Sequence, residues 1–130
     1  MAKSHVMFVL AAALLLAVTG CASINKGVEL DDLKLTEGGS EPIAHINGSN
    51  WGIYFLPMLP ILTGDSDKPG SGISAFSDTV TVGDTVHMVT REAKELGATK
   101  ITDLRSDTTS FFIPPFFWYK SVQVSGNALK

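Results

Sequence analysis

The chain has 130 residues, with 10 Lys or Arg against 13 Asp or Glu and a formal net charge of −3. That balance excludes a nucleic-acid surface and a polybasic lipid-binding surface, both of which need clustered excess basic residues. One cysteine in the whole chain excludes an intramolecular disulfide.

The first twenty residues differ from the rest. Lys3 gives a positive start, Val6 to Val18 carry no charged or polar side chain, and Thr19 and Gly20 lead into Cys21. Basic start, apolar stretch and small residue at a cut are the three parts of a secretory signal. The apolar run is too short for a bilayer-spanning helix, which needs about 20 residues. Residues 1–20 are therefore expected to be a signal peptide, 21–41 a modified N-terminus and tether, and 42–130 one small domain. The tether holds Gly27, Gly38, Gly39 and the pair Asp31-Asp32. Val28, Leu30, Leu33 and Leu35 mix spacings of two and three, which fits a short strand or a single helical turn docked on the domain.

From Pro42 the pattern predicts a strand over Ile43 to Phe55, broken at Asn47-Gly48-Ser49-Asn50 by a bulge or tight turn. Leu56 to Leu62 contains Pro57 and Pro60, so irregular or edge geometry is expected. Thr63 to Ser74 reads as a loop. Thr81 to Gly97 is the best helix, because Val86, Val89, Ala93 and Leu96 make one apolar stripe. Thr81 and Asp84 suit its start, Lys94 its last turn and Gly97 its end. A strand over Thr99 to Phe112 follows. In a final strand over Phe117 to Ala128, Val122, Val124, Gly126 and Ala128 alternate with polar residues. The last two strands should form an antiparallel hairpin with Pro114-Pro115 at its end. The expected fold is α+β: a small three-stranded, largely antiparallel sheet packed against one helix, in the order strand, helix, strand, strand.

No residue pattern assembles a reaction centre. His45 and His87 fall on separate elements, and a structural metal site needs about four ligands. Asp65, Asp67 and Asp84 add no recognised ligand spacing. Asp65-Ser66-Asp67 lacks the glycine and the distal glutamate of a calcium loop and reads as a turn. Gly70-Ser71-Gly72 is one residue short of a nucleophile elbow. No enzyme, metal or small cofactor is expected.

The unusual feature is aromatic. Phe111, Phe112, Phe116, Phe117, Trp118 and Tyr119 cluster around Ile113-Pro114-Pro115. Successive strand residues face opposite ways, so the hairpin cannot turn all six inward. Either the segment with Leu56, Met58 and Leu59 covers them as a small second core, or these residues contact a membrane or a partner.

Two resemblances bear on function. Val18-Thr19-Gly20-Cys21 resembles the lipobox of bacterial lipoproteins, with an aliphatic residue three before the cysteine and small residues between. That resemblance implies cleavage between Gly20 and Cys21, diacylglycerol on the Cys21 thiol and an acyl chain on its new amino group. Ala22 rather than aspartate follows the cysteine, which implies the outer membrane, facing the periplasm, in a cell that has one. The stretch from Ala93 to Leu104 is similar to the matching part of small TRL-like bacterial lipoproteins, which carry no assigned catalytic residues. The expectation is a membrane-anchored, non-enzymatic interaction or structural module of the cell envelope, held to the bilayer through Cys21. An accessory subunit contacting another envelope protein is a variant. The alternative is a small-ligand binder with a pocket lined by Trp51, Tyr54 and Trp118.

Overall fold

A computed structural model describes residues 21–130 apart from 28, 31–32 and 35–38. The expected signal peptide, including Gly20, lies outside the described residues, as does part of the expected tether. The strands are β1 (Ala22–Gly27), β2 (Glu29–Leu30), β3 (Leu33–Lys34), β4 (Pro42–Phe55), β5 (Leu59–Gly64), β6 (Ile73–Ala75), β7 (Lys100–Ile113) and β8 (Phe117–Leu129). One helix, α1 (Val82–Glu95), stands between β6 and β7.

The expected three-stranded sheet is not what forms. Six strands make one antiparallel sheet in the order β6-β5-β4-β8-β7, with β1 added on β4; β2 and β3 form a separate two-stranded ribbon. Three strands escape the sequence pattern for different reasons. Strand β1 is mostly polar and non-periodic, and it is ordered by the free edge of β4, which it follows from Ala22 opposite Asn50 to Gly27 opposite His45. Strand β5 contains Pro60, which sits beside a register irregularity in β4 and before the span that β6 pairs. A missing N–H is tolerated at such a place. Strand β6 is only three residues long and has no room to show a period.

The expected break at Asn47–Asn50 is also absent, because β4 pairs with β8 without interruption from Ala44 to Phe55. Gly48 is there for packing. A Cβ on it would lie 2.6 Å from Val89 and 3.0 Å from Met88, so only glycine lets α1 approach this closely. Asn50 is buried and donates from Nδ2 to the Thr79 carbonyl at 2.7 Å.

The helix forms where expected. Thr81 caps it by accepting from the Asp84 amide at 3.0 Å, and Gly97 follows it at φ +84, a conformation favoured by glycine. Its buried face is Thr85, Met88, Val89 and Ala93. These meet Ala44, Ile46, Val122, Val124 and Ala128 from the alternate positions of β4 and β8, and together they form the core.

Candidate functional site

A 14-residue strand runs about 46 Å, whereas a 14-residue helix reaches only about 21 Å. One helix therefore covers less than half the length of the long strands. It sits over the end where β4 starts and β8 finishes. The opposite end holds two turns, Leu56–Met58 between β4 and β5 and Pro114–Phe116 between β7 and β8. The Leu56 amide donates to the Phe116 carbonyl at 3.0 Å, which ties the turns side by side.

The aromatic cluster converges on this end from both faces. On the face away from α1, Trp51, Tyr119 and Phe111 stack across three strands, with ring centroids 5.7 Å and 4.8 Å apart. On the helix-bearing face, Phe112 meets Trp118 at 5.5 Å. Phe55 sits between Phe116 and Phe117 at 6.2 Å and 6.1 Å. The segment Leu56 to Leu62 does not bury these rings. Met58 is 83 % exposed, Leu59 57 % and Phe116 56 %, and Leu56, Phe111 and Phe112 are exposed too. Phe117, Trp118 and Tyr119 are half-buried. Phe55, Leu59, Pro60, Ile61 and Phe76 line an apolar cleft of about 400 Å³. Phe76, 82 % exposed and missed by the sequence reading, stands alone in a Gly- and Ser-rich loop with no periodicity around it.

Cys21 lies near the same end. Strand β1 runs antiparallel to β4 and begins opposite Asn50, so Cys21 stands level with Trp51, and its carbonyl accepts from the Trp51 amide at 2.9 Å. Phe55 is four residues further along β4, or about 13 Å. The junction is tight. The Gly70 amide donates to the Ala22 carbonyl at 2.7 Å, and Ala22 is fully buried. A Cβ on Gly64 would lie 2.5 Å from the Ala22 nitrogen and 2.6 Å from the Cys21 carbonyl carbon. Cys21 itself is buried, and burial pushes its thiol pKa up.

The expected ligand pocket does not assemble as one. Trp51 lies on the face away from α1, and Tyr54 and Trp118 on the other, because strand residues alternate. Tyr54 and Trp118 do share a cleft of about 200 Å³ with Lys120 and Ser110. There the Tyr54 hydroxyl donates to Asp78 Oδ1 at 2.6 Å, and Lys120 Nζ lies 3.8 Å from Asp78 Oδ2 and 5.6 Å from the Tyr54 ring centre. Burial, and then the bond to Asp78 and its charge, push the Tyr54 hydroxyl above its ordinary range. Tyr54 is thus held as a donor, not poised as a base.

The remaining candidates stay apart. His45 Nδ1 is 2.7 Å from Asn127 Oδ1, while His87 is exposed on α1. Asp65 accepts from the Asp67 amide at 2.9 Å in a local turn, and Arg91 donates to the Ser66 and Asp67 carbonyls, both at 3.0 Å. Among the described residues, no three His, Cys, Asp or Glu gather as metal ligands would. Comparison with family models, with curated proteins and with solved structures finds no match.

Proposed function

We propose that this chain is a lipid-anchored protein of the bacterial cell envelope that acts as a non-enzymatic interaction or structural module. The observation that carries this reading is that Cys21 lies toward the end of the sheet that holds the exposed apolar turns, about 13 Å from Phe55. A soluble monomer rarely leaves so much contiguous apolar surface in water. Acyl chains on Cys21 would bring that end to a membrane. Each buried methylene contributes about 0.8 kcal/mol, so two or more chains hold a protein firmly. The thiol is buried in the folded chain, so this reading requires the acylated side chain of Cys21 to turn outward from the position it takes here while its carbonyl stays bonded to Trp51.

The test is fractionation of cells expressing the full chain or its Cys21→Ala variant, with mass spectrometry of the mature N-terminus. The expected outcome is an acylated Cys21 at the new N-terminus and loss of the variant from the membrane fraction. A mature protein with an unmodified thiol, or a variant that stays with the membrane as fully as the parent, would refute the reading.

A further inference from the structure

We infer that the apolar end of the sheet is a bilayer-docking surface, seated in the interface of the same membrane that holds the acyl chains of Cys21. The inference rests on the proposed lipidation and goes beyond it by assigning an orientation and a contact surface.

Linker length comes first. Cys21 is followed immediately by Ala22, the first residue of β1, and both are pinned by backbone hydrogen bonds to Trp51 and Gly70. No flexible segment separates the lipid-bearing residue from the folded domain. An anchored domain of this kind cannot stand clear of the bilayer, and the apolar end, beginning about 13 Å from Cys21 at Phe55, is within reach of the headgroups.

The chemistry of the apolar end comes second. Neither Phe55 to Leu62 nor Phe111 to Tyr119 contains a charged residue. Met58, Leu59, Phe76 and Phe116 are apolar and more than half exposed. Just behind them, two to five residues from the turns, lie Trp51, Trp118 and Tyr119. Trp and Tyr favour the level of the headgroups, with an apolar body and a polar tip. Charge returns further back, at Lys120 and Asp78 on one side. This order, apolar tip, aromatic belt, then charge, is that of an interfacial element whose apolar part sinks about 5–10 Å into the boundary.

Both tryptophans of the chain lie in the proposed belt, so they report on the contact directly. The lipidated mature protein is reconstituted into phosphatidylethanolamine and phosphatidylglycerol vesicles carrying brominated acyl chains, and tryptophan quenching is read. Trp118→Phe and Trp51→Phe variants separate the two signals. Quenching of both is expected, with the stronger effect at Trp118, nearer the turns. Met58→Asp and Phe116→Asp should each lose most of the Trp118 quenching while the protein still floats with the vesicles through its lipid. Two different exposed positions guard against one variant misfolding. An acylated protein that floats with the vesicles and shows no quenching of Trp118 overturns the docking inference alone. So does a dimer in sedimentation that Phe116→Asp dissociates, since a second copy would then be the cover. A mature chain without acyl groups overturns the anchor and the docking together.

Discussion

At one end of the sheet, Ala44, Ile46, Val124 and Ala128 lie beneath Met88, Val89 and Ala93 of α1, and the rim carries an ion pair, Lys26 to Glu92 at 2.6 Å. At the other end, Phe55, Met58 and Phe116 project beyond the reach of the helix, with no charge among their neighbours in the turns. The same two strands, β4 and β8, supply both ends. What differs is the cover. A helix rises about 1.5 Å per residue and a strand about 3.3 Å, so a helix and a strand of similar residue count cannot match in length. Apolar residues under the helix contribute to folding. Apolar residues beyond it stay exposed.

That division can be broken by substitution. The largest loss should come from Met88→Ala, which empties a fully buried site facing Gly48. About 2–5 kcal/mol is expected, read as a lowered denaturant midpoint. Gly64→Ala should come next. Its new methyl would meet Asn50 Oδ1 as well as the Cys21–Ala22 backbone, so β1 must shift. A cost of about 1–3 kcal/mol is expected, with faster amide exchange in β1 than in β8 as the local signature. Thr81→Ala removes the cap of α1 and should cost about 1 kcal/mol, visible as a lower Tm. The smallest effect belongs to Met58→Asp, which should change stability by no more than about 0.5 kcal/mol because the side chain is already in water. If Met58→Asp costs as much as Met88→Ala, the two ends are not distinct, and the exposed turns are part of the folding core.

Some of this was legible in advance. The start and end of α1 rest on Thr81, Asp84 and Gly97, whose effects are local, and the structure keeps all three in those roles. The buried face of β8 follows from alternation alone, at Val122, Val124, Gly126 and Ala128. The aromatic cluster was visible too, since six rings in nine residues cannot share one strand face. Other features were not legible. Asn47-Gly48-Ser49-Asn50 has turn-forming composition, yet Gly48 serves helix contact and Asn50 a buried hydrogen bond, and both partners lie some thirty or more residues away. Of the expected stripe, Val89 and Ala93 are buried and Val86 and Leu96 partly so, but Thr85 and Met88, which complete the buried face of α1, were not among the expected residues. Phe76 gives no periodic signal, and Trp51 was grouped with Tyr54 and Trp118 although three residues along a strand place it on the opposite face.

By itself, the sequence determined the parts governed by neighbours: helix limits, strand alternation, the proline turn and the excess of aromatic residues near it. Only the tertiary structure decided that six strands share one sheet, that β1 docks directly after Cys21, and that the apolar turns stand together uncovered. The physical reason is that strand pairing joins residues far apart in the chain, as Ala22 with Asn50 or Pro42 with Leu129, and no local pattern encodes which edge will be free to receive them.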